Sequence, residues 1–318
     1  MTHGIAPAGL EAAGLRTQTR LVQGVDRSRR VRERLIEAVL FLCAFSAVAT
    51  TVAIVVILVY ESLGFFETVS VVDFLTDTQW TPLFEDAHYG ILPLVSGTVV
   101  TAAVALSVAV PLGLVTAIYL SEFAPHRVRE TVKPFLELLE GVPTVVYGYF
   151  ALLLVTPLLQ RVFPDLPGFN MLSPGIVIGI MIIPYVSSVS EDAMRAVPMA
   201  LREAAYAMGA TRFQTAVTVV LPAATSGVVA AFILGVSRAI GETMVVAVAA
   251  GQQPNFTWNP MESAATITAY IVQVALGDLP HGSIGYQSIF AAGLVLVLMT
   301  LLFNVLGHLL RRRFRERY

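Results

Sequence analysis

Residues 227–249 read GVVAAFILGVSRAIGETMVVAVA, and the interpretation of the whole chain starts from this stretch. Its 23 residues are enough for one continuous helix to cross a hydrocarbon layer about 30 Å thick. Arg238 falls at the midpoint, where a charged side chain costs about 2.5 to 3.5 kcal/mol on membrane-insertion scales. A charge at that cost indicates a functional site, and we expect Arg238 to face protein or water instead of lipid.

Small residues share one face of this predicted helix with two charges. Five positions follow one another at spacings of four, four, three and four residues: Gly227, Ala231, Gly235, Arg238 and Glu242. Such spacings place them on one stripe of a helix, and small side chains allow another helix to approach closely. The stripe is therefore predicted to be a packing face, with Arg238 and Glu242 forming an i,i+4 pair.

The charged pair has two interpretations. In the first, Arg238 and Glu242 form a structural ion pair that holds the helix against its neighbours. In the second, Arg238 offers its planar set of donors to an oxyanion, while Glu242 orients it and keeps the anion from binding too tightly. The pair alone does not distinguish these interpretations.

Composition indicates an integral membrane protein. Of the 318 residues, 56% are hydrophobic and 13% are charged, whereas soluble domains are roughly 25% charged. The single cysteine, Cys43, excludes an intrachain disulfide. We therefore predict an all-α polytopic membrane protein with six transmembrane helices, at residues 35–60, 91–120, 141–159, 173–190, 227–250 and 285–310.

Basic residues are concentrated on one side of the predicted spans. Eighteen of the twenty Lys and Arg residues lie in the two tails and in the loops 121–133 and 191–225. By the positive-inside rule, both termini and both loops are expected in the cytoplasm of a bacterial plasma (inner) membrane. The predicted domains are a flexible Arg-rich tail 1–34, a transmembrane domain 35–310 that includes loop 191–225, and a basic tail 311–318.

Two outer segments carry further expectations. Loop 61–90 has six acidic residues and no basic one. It is either a solvated loop with Trp80 at the membrane interface or part of a docking surface for an external partner. Residues 261–276 are interpreted as a short helix on or partly within the outer surface. His88 and His281 lack metal-ligand spacing, so no metal site is predicted.

A polar loop before the fifth predicted span carries a spaced motif. It has EAA, three residues, Gly, nine residues, Val, one residue and then LP. The spacing predicts a short helix, a turn at the glycine and a second helix that ends at the proline. The motif resembles the EAA loop of ABC importer permeases, which has Ile at the position of Val219. In that family the loop forms the coupling helix in a groove of the cytoplasmic ATPase, which assigns ATPase coupling to Glu203, Ala204, Ala205, Gly209, Leu221 and Pro222.

Three further stretches narrow the resemblance to phosphate importer permeases. They are VPTVVYG at 142–148, IMIIPY at 180–185 and RAIGETM at 238–244. Met244 and the long first outer loop favour the PstC-type subunit over its PstA-type partner. The resemblance covers residues 35–312 and implies the type I ABC importer permease fold. It associates Arg238 and Glu242 with the passage of phosphate.

The resemblance also implies partners. The expected assembly is a heterodimer with a PstA-type permease on two PstB-type ATPase subunits, fed by an extracytoplasmic PstS-type phosphate-binding protein. The chain has no G-x-x-x-x-G-K-[ST] sequence, and its only lysine is Lys133. ATP and Mg are therefore expected on the ATPase. We expect no cofactor and no enzyme activity in this chain itself.

The resulting hypothesis is a permease subunit that moves inorganic phosphate into the cytoplasm. Loop 203–222 would act as a lever when the ATPases close, and a second Arg from the homologous helix of the partner permease would complete a phosphate-sized site. Three alternatives stay open. They are import of sulfate or molybdate by the same architecture, a secondary transporter with Glu242 as a proton-coupled carboxylate, and a membrane scaffold that signals phosphate status.

Overall fold

The computed structural model of the protein describes residues 27–313, except positions 83, 85, 278 and 281. These residues are predominantly helical, and the extended pairing among them is a single antiparallel bridge between Trp80 and Tyr89. The all-α prediction is therefore confirmed. The chain divides into two units after Ile57.

The helices of the described residues are numbered in chain order. They are α1 Arg27–Thr68, α2 Val71–Thr76, α3 Leu92–Phe123, α4 His126–Glu140, α5 Thr144–Gln160, α6 Leu172–Arg195, α7 Met199–Ala207, α8 Arg212–Ala223, α9 Thr225–Ile240, α10 Met244–Ala249, α11 Ile267–Ala275 and α12 Ile284–Arg313. The last turn of α3, Tyr119–Phe123, is π-helical, and α5 and α8 each contain a π-helical segment.

The first unit is the beginning of α1. The described side chains among residues 31–57 are exposed, and the apolar ones form a surface suited to lipid. The helix begins at Arg27, so the prediction of a flexible tail is wrong for residues 27–34. Arginine is a good helix former, and Arg29 pairs with Glu33 one turn later at 3.1 Å. Residues 1–26 of the predicted tail lie outside the described residues.

The second unit is built around the packing of α3 against α6. A Cβ atom on Gly175 would lie 2.6 Å from the Val104 side chain, and one on Gly179 would lie 2.7 Å from the Ala105 carbonyl oxygen. Small residues at four-residue spacing therefore let the two helices approach closely. The short span predicted at 173–190 lies within α6, which is 24 residues long. It is the most buried of the long apolar helices in the described chain.

Four helices of the described residues are long and apolar enough to cross a membrane alone: α1, α3, α6 and α12. Two more candidates are bent pairs, α4 with α5 at 88° and α8 with α9 at 73°. Six spans result when each bent pair counts as one, in agreement with the predicted number. The loop predicted at 121–133 is wrong in part, because α4 begins at His126. α4 is amphipathic and has no buried residue, so it lacks the apolar run that reveals a span.

The fifth predicted span, 227–250, is two helices instead of one. α9 ends at Ile240, and α10 begins at Met244 after a break that contains Glu242. The backbone N–H groups of Met244 and Val245 donate to the Glu242 carboxylate at 3.1 and 3.3 Å. These bonds satisfy donors that the start of a helix leaves free. Glycine is a poor helix former, so Gly241 weakens a continuous helix at this point.

Trp80 is buried within the protein, which does not match the alternative of a solvated loop with Trp80 at the membrane interface. It is 1% exposed and packs edge to face against Tyr89 and Tyr270, with ring centroids 6.2 and 5.0 Å apart. Such pairs stabilise a folded loop, so loop 61–90 packs against α11 through its aromatic rings. Tyr270 belongs to α11, where Ile267 is also fully buried. The short helix expected within 261–276 is therefore present, and its first turn packs inside the unit.

Replacing Gly179 with alanine is expected to destabilise the protein by about 1 to 3 kcal/mol, because the added methyl group meets the Ala105 carbonyl oxygen and the Val108 side chain. The thermal unfolding midpoint of the protein in detergent measures this effect. Gly168→Ala is the matched control, since no atom lies within 4 Å of its Cβ position. Equal midpoints for the two variants would contradict close packing of α3 on α6.

Candidate functional site

Arg238 lies in the last turn of α9, next to the helix break. Its guanidinium carbon is 5.9 Å from the centre of the Tyr185 ring on α6, which is a cation–π distance. The Arg238 Nε atom is buried and has no hydrogen-bond partner among the described residues. A buried donor is costly to leave unpaired, so this guanidinium has unused capacity to bind an anion.

Glu242 lies in the break and is 8% exposed. Its carboxylate accepts the two N–H groups of α10, and its carbonyl oxygen accepts the Thr268 hydroxyl at 2.7 Å. The ion pairs of the described residues do not include Arg238 with Glu242, so the predicted i,i+4 pair is wrong. The reason is that α9 ends at Ile240, and the amides at the start of α10 bind the carboxylate instead.

The small residues predicted to share a face with Arg238 do form a packing face. A Cβ atom on Gly227 would overlap the Ala193 side chain, and one on Gly235 would lie 3.2 Å from Val186. Both neighbours belong to α6, the helix that carries Tyr185. Close packing of α9 on α6 therefore brings Arg238 to the Tyr185 ring.

A cavity of about 320 Å³ extends from Tyr185 between α4 and α6. Its polar lining includes Ser188 of α6 and three charged residues of α4: Lys133, Glu137 and Glu140. The fully buried Glu191 also borders it. The cavity connects the ring beneath Arg238 with a group of charges at the end of α6.

These charges centre on Glu191, whose role the sequence interpretation missed. Its carboxylate pairs with Arg129 Nε at 3.0 Å and with Lys133 Nζ at 3.0 Å. Lys133 also pairs with Asp192 at 3.0 Å. The cluster joins α4 to α6. Because Glu191 and Lys133 are 58 positions apart, no local sequence pattern reveals their contact.

The EAA motif occupies α7 and the turn that follows it. Glu203, Ala204 and Ala205 lie on α7, as the spacing predicts. Gly209 has a φ of +83°, a left-handed conformation that glycine adopts without strain. α8 then begins at a capping box formed by Thr211 and Gln214. The predicted arrangement of helix, glycine turn and helix is therefore observed.

The second helix of the motif ends where predicted. Leu221 and Pro222 lie in the last turn of α8, which ends at Ala223, and α9 follows at 73°. Several side chains around the turn are exposed, including Met208 at 88% and Phe213 at 66%. Exposed apolar side chains beside a polar helix are typical of a contact surface for another protein.

The interpretation from sequence also missed Arg202, the residue before the motif. Its side chain is 10% exposed, and its Nη2 atom pairs with Glu122 Oε1 at 2.9 Å. Glu122 lies 80 positions earlier, in the π-helical turn of α3. A buried ion pair therefore connects the helix of the EAA motif to α3.

Sequence comparison identifies relatives over most of the chain. Residues 109–317 match the family described as binding-protein-dependent transport system inner membrane component. The chain is 36% identical over 273 residues to the probable ABC transporter permease protein YqgH of Bacillus subtilis, covering 85% of this chain and 88% of that protein. It is 32% identical over 266 residues to the phosphate transport system permease protein PstC of Mesorhizobium japonicum, covering 77% of this chain and 79% of that protein.

A solved structure shares the fold at lower identity. A chain of the bacterial ABC transporter involved in import of the acidic polysaccharide alginate aligns with a TM-score of 0.60 and 17% identity, covering 93% of this chain and 100% of that one. Identity at this level supports the fold alone. The family match and the identity to curated permeases go further. The chain is a multi-pass permease subunit that belongs to the binding-protein-dependent transport system inner membrane component family of ABC importers.

Proposed function

We propose that this permease moves inorganic phosphate into the cytoplasm, driven by ATP that a partner subunit hydrolyses. The observation that carries the proposal is the Arg238 guanidinium, whose buried Nε lacks a partner beside a helix break. A planar guanidinium with free donors suits the oxygen atoms of phosphate. The similarity to proteins named for phosphate transport supports this cargo.

Other oxyanions are the main alternative cargo. A guanidinium also binds sulfate and molybdate, and the name of the YqgH relative specifies no cargo. Membership of an ABC importer family argues against the proton-coupled secondary transporter. The position of Glu242 argues in the same direction, because its carboxylate is held by two backbone N–H groups.

The proposed assembly pairs this chain with a PstA-type permease, two PstB-type ATPases that bind ATP and Mg, and a PstS-type binding protein outside the membrane. A similar solved transporter, for alginate, is described in complex with a periplasmic protein that carries the substrate. In the proposed orientation α4, α7 and both termini face the cytoplasm, and the concentration of basic residues in these segments supports it under the positive-inside rule.

In the proposed mechanism, Arg238 replaces part of the hydration of the anion inside the membrane. Charge-assisted hydrogen bonds from the guanidinium to phosphate oxygens offset the loss of water. An equivalent Arg from the partner permease would complete the site. Glu242 keeps the break open by bonding α10, so Arg238 stays at the end of α9 with its Nε unpaired. Motion of the exposed EAA loop on the ATPase would then expose the site to each side in turn.

Replacing Arg238 with alanine is expected to lower phosphate uptake about 10- to 100-fold, the loss associated with one or two charge-assisted hydrogen bonds. The assay is radiolabelled phosphate uptake into proteoliposomes that hold the complete transporter and loaded binding protein. Arg161→Ala, at an exposed position in another loop, is the control.

Normal uptake in an assembled Arg238→Ala transporter would remove Arg238 from the pathway. Stimulation of ATP hydrolysis is measured in parallel with phosphate, sulfate and molybdate. A stronger response to sulfate or molybdate than to phosphate would reject phosphate as the cargo.

Substitutions of Glu242 distinguish the role of its hydrogen bonds to α10 from the role of its negative charge. Glu242→Gln keeps an oxygen acceptor for the N–H groups of Met244 and Val245, whereas Glu242→Ala removes it. Loss of such a cap costs about 0.5 to 2 kcal/mol. We expect a clearly larger loss of phosphate uptake for Glu242→Ala than for Glu242→Gln. Equal losses would show that the negative charge, and not the bond to the break, is what transport requires.

Replacing Gly209 with valine is expected to leave the spans assembled but to uncouple ATP hydrolysis from uptake. A β-branched residue at a φ of +83° is strained by about 1 to 2 kcal/mol, so the turn between α7 and α8 must change shape. Gly209→Asn is the matched control, because asparagine tolerates this conformation. The measurement is ATP hydrolysed per phosphate imported. A wild-type ratio for the valine variant would contradict the lever role of the loop.

A further inference from the structure

One side chain fastens the EAA helix to the body of the second unit. Arg202 of α7 makes four hydrogen bonds. Nη1 donates to Val197 O at 2.6 Å, Nη2 donates to Met194 O at 2.8 Å and to Glu122 Oε1 at 2.9 Å, and Nε donates to Glu122 Oε2 at 3.3 Å. The residue is 8% exposed overall. The guanidinium is therefore almost fully engaged, in contrast to that of Arg238.

Two of the three residues that Arg202 contacts belong to long helices. Glu122 lies in the π-helical turn that ends α3, and Met194 lies in the last turn of α6. Val197 lies in the linker between α6 and α7. A single planar group thus joins α7 to the ends of α3 and α6, the two helices whose packing forms the centre of the unit.

The Glu122 carboxylate is itself held in place. The neighbouring Ser121 hydroxyl donates to Glu122 Oε1 at 2.8 Å, and the Glu122 side chain is 6% exposed. π-helical turns inside longer helices are frequent at functional sites. Here the turn supplies the carboxylate that receives two of the four hydrogen bonds of Arg202.

Stability alone is a weak reason for this arrangement. A buried ion pair is often no more stabilising than apolar residues of the same volume, whereas a bidentate pair fixes the orientation of the groups it joins. The adjacent Glu203 and Ala204 on α7 are exposed. α7 therefore has an exposed face that another protein can contact, and a buried Arg that fixes the angle of α7 to α3 and α6.

The same two helices lead to the Arg238 site. α6 carries Tyr185, which contacts the Arg238 guanidinium, and α6 also packs closely against α9 through Gly227 and Gly235. A displacement of α7 that Arg202 transmits to the end of α6 would therefore move the helix that forms one side of the anion site.

We propose that Arg202 is a positioning residue for energy coupling, which transmits movement of the EAA helix to α3 and α6 through its bonds to Glu122 and Met194. The proposal rests on the proposed function, since it assumes that an ATPase acts on α7. It predicts that a variant without the planar guanidinium still hydrolyses ATP but imports less phosphate for each ATP hydrolysed.

The test uses the complete transporter in proteoliposomes with phosphate-loaded binding protein. Arg202→Lys keeps the charge but loses the planar fork, and Glu122→Gln keeps the shape but loses the charge of the acceptor. We expect either variant to raise the ATP hydrolysed per phosphate imported about tenfold, a usual size for coupling between two sites. Arg127→Ala, at an exposed arginine on α4, is the matched control and should keep the wild-type ratio.

A structural role alone would lower uptake and ATP hydrolysis in proportion to the amount of assembled transporter. An unchanged ratio in both variants would therefore overturn the proposal, whether uptake is normal or reduced. Failure of both variants to assemble with the ATPase would overturn it as well. The ATP hydrolysed per anion imported is measured for each variant and for the wild-type transporter with the same oxyanion. A wrong cargo would show in the wild-type transporter, whereas a wrong role for Arg202 would show only in the comparison of variant with wild type.

Discussion

The structure depends on which ion-pair or hydrogen-bond partners bind the charged side chains inside the helix bundle. A buried charge without partners is costly in a protein interior, and more so where lipid replaces water. Glu191 is paired with Arg129 and Lys133, and Glu242 accepts two backbone N–H groups. Arg202 makes four hydrogen bonds. Arg238 is the contrast, because its buried Nε has no hydrogen-bond partner and its guanidinium has no ion pair among the described residues. An unpaired donor among matched charges fits a site that a substrate anion completes.

Close packing connects these charges to one another. Gly175 and Gly179 let α6 approach α3, while Gly227 and Gly235 let α9 approach α6. In a membrane, where water does not drive helices together, such contacts supply van der Waals attraction. α6 consequently touches the Arg238 site through Tyr185 and the ion pairs through Glu191 and Met194. α6 therefore contacts both the Arg202 side chain of the EAA helix and the Arg238 guanidinium, which is the basis of the coupling proposed above.

The break between α9 and α10 changes how Arg238 is presented. In a continuous helix, Glu242 would follow one turn later and neutralise the guanidinium. In the structure, the helix ends and the carboxylate turns to the amides of α10. The break therefore separates the charges of Arg238 and Glu242, which are four residues apart in the sequence. Glu242 caps α10, and the Arg238 Nε is left without a partner among the described residues.

Much of the fold and part of the site follow from the sequence. Apolar runs, the distribution of Arg and Lys and the spacing of the EAA motif are local patterns, so they indicate the membrane class, six spans and the coupling loop. Arg238 stands out because a charge is rare in an apolar run. The tertiary structure alone decided the burial of Trp80, the end of α9 at Ile240 and the partners of Glu191 and Arg202. These features depend on contacts between segments far apart in the chain, such as the 80 positions between Glu122 and Arg202, and no local pattern records such contacts.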